Sequence, residues 1–201
     1  MKKYEFTGET KAGPEGVILH RIRALVKIEL GDITVEAGDI GGWIEKEENL
    51  SQYDKSWVYD NARVYDNALV YGNARVCDNA RVCDNARVYG NARVCDNARV
   101  YGNARVYGNA LVYGNALVCG DADICELSHY LVVGPIGSRN DFTTFFRCKN
   151  SIKVKCGCFL GTTEEFLEKV KTTHGESKHA ISYQKATDLA IAQIGLSSED
   201  D

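Results

Sequence analysis

The stretch Asn73–Gly102, NARVCDNARVCDNARVYGNARVCDNARVYG, writes nearly the same six letters five times in succession. Valine returns every six residues from Val58 to Val118, Ile124 continues the series, and a small residue, usually alanine, stands two positions before each. A long side chain lies between the two, and Tyr or Cys follows the valine. This alternation predicts a short strand with alanine and valine facing inward, joined to the next strand by an Asp-Asn or Gly-Asn corner. A helix is excluded, because six residues do not match its period of about 3.6 and the corner dipeptide breaks every turn.

A strand of this length cannot bury its own apolar face, so the units have to stack into a solenoid. The corner letters add a second period of 18 residues, because they run Asp, Asp, Gly from Asp60 to Gly72 and again from Asp78 to Gly90. Three hexads per coil make a triangular prism whose rungs lie about 4.8 Å apart. The twelve hexads then predict about four coils within residues 50–125.

The repeat from Leu50 to Cys125 resembles the left-handed parallel β-helix of hexapeptide-repeat proteins. The resemblance alone implies the left hand, since crossovers between parallel strands are otherwise nearly always right-handed. Pentapeptide-repeat solenoids are a related alternative, which the unbroken six-residue spacing disfavours. The whole chain also resembles uncharacterised proteins of Gram-positive bacteria and their phages, through the segments GDIGGWI (38–44), WVYDNARVY (57–65), GPIGSRND (134–141) and CGCFLGTTEEFLEKVKTTHG (156–175). That second resemblance implies no established activity.

The segments on either side of the repeat are predicted to close its open ends. Residues 1–49 lack the hexad, and we expect a strand-rich N-terminal cap there. The glycines of Gly38–Trp43 indicate tight turns that place Trp43 and Ile44 over the first coil. The sequence changes character after Cys125, so residues 126–201 are predicted to form a C-terminal α+β domain.

The predicted C-terminal domain consists of a β-hairpin and two helices. The hairpin turns at Asn150 and Ser151. The first helix begins with a capping box from Thr162 to Glu165 and stops at Gly175. Alternating side chains mark the second hairpin strand: Ile152, Val154, Cys156 and Cys158. Apolar side chains at helical spacing mark the second helix: Tyr183, Ala186, Ala190 and Ile194.

Composition narrows the possible partners and the compartment. The 201 residues carry 24 Lys and Arg against 28 Asp and Glu, and this net charge of −4 indicates no strongly charged partner for the chain as a whole. No apolar run approaches the ~20 residues of a membrane span, and the opening segment MKKYEFTGET lacks the apolar core of a signal peptide. We therefore expect a cytoplasmic protein that needs no membrane and no cofactor, with its eight cysteines reduced. Cys77 and Cys95 are the pair on adjacent rungs, at a separation compatible with a disulfide.

Stacking of the coils sorts the outward side chains into columns. Tyr71, Tyr89 and Tyr107 share one column and predict an aromatic ladder, while Arg75 and Arg93 share one of the arginine columns. The corner asparagines are predicted to be structural, because Asn tolerates left-handed backbone angles and stacks in ladders. Such columns are most often the solvent-exposed surface of a solenoid. Alternatively they dock a partner, or a nucleic-acid backbone, although seven Arg against seven Asp in residues 58–125 disfavour the latter.

Basic residues concentrate in the predicted C-terminal hairpin and the loop before it. Arg139 and Asn140 belong to a Gly-rich loop that we expect to be able to hold a phosphate or carboxylate, although it lacks the Lys-Ser/Thr of a nucleotide loop. The patch is either a solvated face or a surface that touches a partner. Its basic residues are Arg139, Arg147, Lys149, Lys153 and Lys155.

A zinc site is a weaker candidate in the same domain. Thiolates and imidazole suit zinc, but a Cys-x-Cys pair on a strand has poor chelating geometry, so we favour small core cysteines. The four candidate ligands are Cys148, Cys156, Cys158 and His174.

The function predicted from these features is that of a non-enzymatic binding or inhibitory module. The phage resemblance extends this to a phage or mobile-element protein that acts on a host protein or nucleoprotein complex, for example against a host defence complex. One alternative is an acyltransferase, as in many hexapeptide-repeat proteins, whose catalytic base would have to be His20 or His129 because residues 21–128 contain no histidine. Another is a structural solenoid that self-assembles into a homo-oligomer.

Overall fold

The structure, a computed structural model, describes residues 2–195; Met1 and residues 196–201 of the predicted terminal segments lie outside it. It is a β-solenoid with N-terminal strands and a C-terminal unit of strands and helices, so the predicted mainly-β fold is confirmed. The N-terminal strands are β1 (Tyr4–Ala12), β2 (Ile18–Ala24), β3 (Ile28–Leu30), β4 (Ile33–Val35) and β5 (Ile40–Ile44). The solenoid strands are β6 (Trp57–Val58), β7 (Arg63–Val64), β8 (Leu69–Val70), β9 (Arg75–Val76), β10 (Arg81–Val82), β11 (Arg87–Val88), β12 (Arg93–Val94), β13 (Arg99–Val100), β14 (Arg105–Val106), β15 (Leu111–Val112), β16 (Leu117–Val118) and β17 (Asp123–Ile124). The C-terminal elements are β18 (Tyr130–Ile136), β19 (Asp141–Arg147), β20 (Ile152–Cys156), β21 (Phe159–Thr162), α1 (Thr163–His174) and α2 (Lys178–Ile194).

The solenoid has three parallel sheets, because each strand pairs with the strand three further along, 18 residues on. We name the three faces by their outward side chains. The tyrosine face comprises β8, β11, β14 and β17, and the cysteine face comprises β6, β9, β12 and β15. The mixed face comprises β7, β10, β13 and β16. The predicted three hexads per coil are thereby confirmed, while the left hand stays a prediction from the resemblance.

The inward alanines and valines of the hexads form one continuous core. Each such valine from Val58 to Val118, and each such alanine from Ala62 to Ala122, is at most 1% exposed. Burial of one valine side chain contributes roughly 1.5 kcal/mol or more. A two-residue strand gains this only because neighbouring coils cover it on both sides.

The solenoid has about five coils rather than the predicted four, because the N-terminal segment supplies the first one. Strand β5 pairs in parallel with β7, so that Ile44 lies beside Val64 in the core. Leu50 forms a parallel bridge with Val70 and extends the tyrosine face by one rung.

Two glycines of the predicted turn segment lie inside strand β5, so that part of the prediction is wrong. A Cβ at Gly41 would lie 2.8 Å or less from side-chain atoms of Ile22 and Trp57. A Cβ at Gly42 would lie 2.6 Å from Val58 Cγ1. Glycine is required here for the close approach of β5 to the next coil, and not for a turn.

Left-handed backbone angles at the corners belong to the Asp or Gly residue and not, as predicted, to the asparagine that follows. The angle φ lies between 50° and 59° at the Asp corners from Asp60 to Asp96, and between 61° and 75° at the Gly corners from Gly72 to Gly120. Glycine adopts such angles without steric cost, and Asp is one of the few other residues that do so routinely. The predicted asparagine ladders form in two of the corner columns, 67–85–103 and 73–91–109, where each side-chain amide donates to the next rung, for example Asn91 to Asn109 at 3.1 Å.

The N-terminal strands close the first coil. Strands β1 and β2 pair antiparallel and extend the mixed face beyond β5. Tyr4 is fully buried over the core, and its hydroxyl lies 2.9 Å from the carbonyl oxygen of Leu50. Lys3 is 4% exposed and donates to the carbonyl oxygen of Ser56 at 2.7 Å.

The C-terminal unit closes the last coil with an antiparallel sheet in the order β18-β19-β20-β21. On one side of the sheet, Tyr130 and Phe146 join the solenoid core. On the other side, α1 and α2 pack against the sheet, and Phe166 of α1 contacts Phe145 of β19 in a separate apolar cluster. Within residues 2–195, neither helix is both long and apolar enough to span a membrane.

The hairpin and the two helices of this unit lie close to their predicted positions, but one strand is shorter than predicted. The capping box is present, with Thr162 N donating to Glu165 Oε2 at 2.8 Å. Strand β20 ends at Cys156, because Gly157 has a φ of 57° and begins a turn. Cys158 lies in that turn and is exposed, so the predicted alternation does not reach it.

Candidate functional site

The tyrosine face carries the predicted aromatic ladder. The ring centroids of Tyr71 and Tyr89 are 4.9 Å apart with 1° between the ring planes, and those of Tyr89 and Tyr107 are 5.1 Å apart with 6° between the planes. In-register parallel pairing of β8, β11 and β14 holds the three rings one rung apart. Both faces of the middle ring are therefore covered by its neighbours, and the ladder presents ring edges and hydroxyl groups to solvent.

Arg87 and Arg105 accompany the ladder on the same face. Each is the first residue of its strand and stands two residues before a ladder tyrosine, so both side chains point outward. Both are exposed, and neither forms an ion pair within residues 2–195. The sequence analysis did not select these two arginines. The signal that indicates them is their position two residues before Tyr89 and Tyr107, which places them beside the ladder.

The hydroxyl groups of Tyr89 and Tyr107 are neutral at physiological pH. Burial, followed by the neighbouring Tyr71, raises the pKa of Tyr89. Burial and the nearby carboxylate of Asp123 raise the pKa of Tyr107 to about 12. The Tyr107 hydroxyl lies 3.4 Å from Asp123 Oδ2, at the end of the ladder. The face thus combines hydroxyl donors with two guanidinium groups one rung apart.

The predicted binding residues Arg75 and Arg93 lie on the cysteine face, where both contact Asp32 of the protein itself. Asp32, in the turn between β3 and β4, places Oδ1 2.7 Å from Arg75 Nη2 and 3.2 Å from Arg93 Nη2. Arg75 is only 6% exposed beneath this hairpin. Arg75 is therefore less accessible to a partner than Arg87 and Arg105 are, whereas Arg93 is exposed.

The basic residues of strands β19 and β20 have separate partners. Lys153 Nζ lies 2.6 Å from Asp121 Oδ1 on the last coil, and this contact raises the pKa of the lysine and lowers that of the aspartate. Lys155 is half-buried. It stands two residues after Lys153 on β20, so the two side chains lie on the same side of the sheet. Arg147 Nη1 lies 3.2 Å from His129 Nε2. The predicted basic patch is therefore split, because Lys153 pairs with Asp121 and Arg147 contacts His129.

The remaining residues of that patch lie in turns. Lys149 is exposed in the turn between β19 and β20. Arg139 packs its guanidinium over Gly157, where it blocks the space that a side chain would need. Asn140 is exposed and has a left-handed φ of 49° in the turn before β19. The loop and the hairpin therefore do not converge on one ligand position.

The four candidate zinc ligands lie in different environments. Cys148 is buried, with Sγ 3.6 Å from Asp121 Oδ1. Cys156 Sγ lies 3.7 Å from the Tyr183 hydroxyl, whereas Cys158 is exposed in the following turn. His174 ends α1, with its ring 5.9 Å from that of His179. None of the four belongs to any of the clusters of potential metal ligands within residues 2–195.

The two histidines of the acyltransferase alternative lie beyond opposite ends of the solenoid. His20, on β2, stacks on Phe6 with the ring centroids 4.8 Å apart. His129 is buried after the last coil, and its Nδ1 lies 3.5 Å from Cys125 Sγ. Burial and the charge of Arg147 lower the pKa of His129.

Comparison with known families supports the solenoid. Five segments, residues 58–72, 62–78, 80–96, 92–106 and 104–120, match the family model described as YdcK Beta solenoid repeat. The matches lie within the strands β6 to β16, so the N-terminal strands and the C-terminal unit lie outside them. The comparison with curated proteins gives no match.

Proposed function

We propose that this protein is a non-enzymatic binding module that docks an acidic surface of another protein against its tyrosine face. The observation that carries the proposal is the presence, on one exposed face, of three stacked tyrosines beside Arg87 and Arg105. Tyrosine and arginine are the residue types that most often dominate binding energy at protein interfaces.

The electrostatics of this face favour an acidic partner. Arg87 and Arg105 are register partners on adjacent strands, about 4.8 Å apart along the axis, and their like charges repel. Carboxylates on a partner relieve that repulsion and accept hydrogen bonds from both guanidinium groups. Because stacking already orders the tyrosine rings, docking loses little side-chain entropy.

Nucleic acid fits this face less well than a protein does. Single strands bind to aromatic residues by stacking bases on open ring faces. In the ladder, Tyr71 and Tyr107 cover both faces of the Tyr89 ring. A base could stack only at the ends of the ladder.

The resemblance to proteins of Gram-positive bacteria and their phages extends the proposal to an inhibitor. On this proposal, a phage or mobile-element protein of this kind occupies an acidic surface of a host protein or nucleoprotein complex and blocks its activity. The solenoid acts as a rigid support for the tyrosine face.

The test compares two faces of the same solenoid. A partner is first identified by crosslinking in a lysate of a Gram-positive host and is then purified. Its dissociation constant is measured for the wild type, for Arg87→Glu/Arg105→Glu on the tyrosine face, and for Arg81→Glu/Arg99→Glu on the mixed face. We expect the first double variant to bind at least about tenfold more weakly, or ~1.4 kcal/mol, and the second to bind like the wild type.

The two double variants carry the same substitutions at the same strand position, one face apart, so a general effect of charge alters both equally. Retained binding by Arg87→Glu/Arg105→Glu, or equal losses in both double variants, contradicts the proposal. Competition by single-stranded DNA at equal strength with the acidic partner contradicts its protein specificity.

The rival functions predict different observations. An acyltransferase turns over acyl-CoA and loses that turnover when His20 or His129 is replaced by alanine. A self-assembling solenoid shows a particle mass that rises with concentration in light scattering. Turnover that depends on either histidine would replace the binding proposal with the enzymatic one.

A further inference from the structure

On the cysteine face, the column of outward side chains contains two cysteines on adjacent rungs. The column runs Tyr59, Cys77, Cys95, Tyr113, and the strands that precede the two cysteines pair in register through Val76 and Val94. Both thiols are free and half-buried. On the mixed face, by contrast, a tyrosine separates the two cysteines.

An aspartate completes a cluster of potential metal ligands around this pair. The sulfur atoms of Cys77 and Cys95 and a carboxylate oxygen of Asp78 all lie within 4.8 Å of one another. Asp78 Oδ2 accepts a hydrogen bond from the backbone N–H of Asp96 at 3.1 Å, which fixes the carboxylate and leaves its other oxygen available. The left-handed φ of 59° at Asp78 places this side chain at the corner beside the two thiols.

We propose that Cys77, Cys95 and Asp78 form a binding site for one thiophilic d10 metal ion such as Zn²⁺ or Cd²⁺. Tetrahedral coordination with metal–sulfur bonds of about 2.3 Å needs the two sulfur atoms about 3.8 Å apart, which lies within the observed cluster. Two thiolates and one carboxylate supply three ligands, and water supplies the fourth. Binding forms two metal–sulfur bonds, and the two thiol protons pass to solvent. This site is on a different face from the proposed partner surface and does not depend on it.

The other clusters within residues 2–195 are less suited to a metal. In the cluster of Cys125, Glu126 and His129, the Arg147 guanidinium lies 3.2 Å from the imidazole and repels a cation. The cluster of Asp66, Cys83 and Asp84 has a single thiol.

The test is a Cd²⁺ titration of the full chain in a phosphine reductant, which keeps the thiols reduced. We expect one ion per chain, the ultraviolet charge-transfer band of cadmium–thiolate bonds, and release of about two protons. Cys77→Ser and Cys95→Ser should each weaken Cd²⁺ binding at least about tenfold, and the double variant should lose the band. Asp78→Asn, which keeps a residue that tolerates the left-handed angle, should weaken binding by a smaller factor without changing the band.

Two control variants separate this site from the other thiols. Cys83→Ser removes a half-buried thiol at the same position of the hexad on the mixed face, and Cys158→Ser removes the exposed thiol of the C-terminal turn. Both should bind Cd²⁺ like the wild type, and circular dichroism checks the fold of every variant. The proposal is overturned if the band is absent in the wild type, persists in the Cys77→Ser/Cys95→Ser variant, or disappears in Cys83→Ser.

Discussion

Asp32 Oδ1 lies 2.7 Å from Nη2 of Arg75, a residue that the repeat places on the outside of the solenoid but that is only 6% exposed. The other nitrogens of this side chain, Nε and Nη1, are buried without a hydrogen-bond partner within residues 2–195. Asp32 therefore compensates the buried charge of Arg75. In doing so it attaches the β3–β4 hairpin to the cysteine face.

Replacement of Asp32 by alanine is expected to loosen this hairpin. The substitution leaves a buried guanidinium without its carboxylate, and a buried charge that has lost its partner is strongly unfavourable. The cheapest relief is for the hairpin to open and let water reach Arg75. Hydrogen exchange of the amides in residues 28–35 should therefore become faster, while exchange in the middle coils stays unchanged.

Glu29→Ala is the matched control for that measurement, because Glu29 is an exposed acid on the same hairpin, and its ion pair is with the exposed Lys27. Its amide exchange should resemble that of the wild type. Unchanged exchange in Asp32→Ala would show that the apolar contacts of the hairpin are sufficient to hold it.

The corner residue Asp84 is expected to tolerate glycine better than alanine. Its φ of 57° strains any residue with a Cβ by roughly 1 kcal/mol, and its Oδ2 accepts a hydrogen bond from Gly102 N at 2.8 Å. Asp84→Ala loses the hydrogen bond and keeps the strain, so we expect a loss of about 1–2 kcal/mol in the free energy of unfolding. Asp84→Gly loses the hydrogen bond but also the strain, so its loss should be smaller. Urea unfolding measures both, and a larger loss for glycine would contradict this account of the corner.

The core of the repeat could be predicted from the sequence because the inward positions of the hexad have the same environment in each coil. Alanine and valine are inside at every rung, and the tyrosine ladder follows from the period of 18 residues alone. The exception was the corner, where the left-handed angle falls on Asp or Gly rather than Asn. Asn, Asp and Gly all tolerate that angle, so the residue types alone could not show which of them adopts it.

The candidate site was less predictable than the repeat, because the terminal segments cover some residues of a column and leave identical residues in other coils exposed. Arg75 and Arg87 occupy the same position of the hexad, yet the β3–β4 hairpin buries one and leaves the other exposed. Nothing in the period indicates where that hairpin packs. Likewise Cys156 and Cys158 read as one strand, but the left-handed angle at Gly157 separates them.

Gly42→Ala is expected to destabilise the junction between β5 and the first full coil. The added methyl group would lie 2.8 Å from the carbonyl oxygen of Tyr59 and 2.9 Å from that of Ala62, both backbone atoms that cannot move aside without shifting the coil. Overpacking of this kind typically costs about 1–3 kcal/mol. Gly13→Ala is the control, because its closest contacts are longer, at 3.1 Å and 3.2 Å to side-chain atoms of Leu19 and 3.2 Å to the carbonyl oxygen of Val17. A melting temperature for Gly42→Ala equal to that of the control would contradict the packing argument.

The buried amine of Lys3 is expected to make stability depend on pH in the alkaline range. Burial lowers the pKa of Lys3 from 10.5 to about 8, although the nearby Asp54 opposes the shift. Between these two values the unfolded chain binds a proton that the folded chain has released, so the contribution of Lys3 to folding becomes more favourable as pH rises. From pH 8 to pH 9.5 the gain should reach about 1–2 kcal/mol.

Other groups titrate in the same range, and Lys3→Met is the variant that separates them. Burial raises the pKa of Tyr4 and of Cys148, so these groups destabilise the fold as pH rises, but they do so equally in the wild type and the variant. The difference in unfolding free energy between wild type and Lys3→Met, measured by urea unfolding at several pH values, therefore isolates the lysine. That difference should shift in favour of the wild type between pH 8 and pH 9.5, whereas a constant difference would mean that the amine stays protonated in the folded protein.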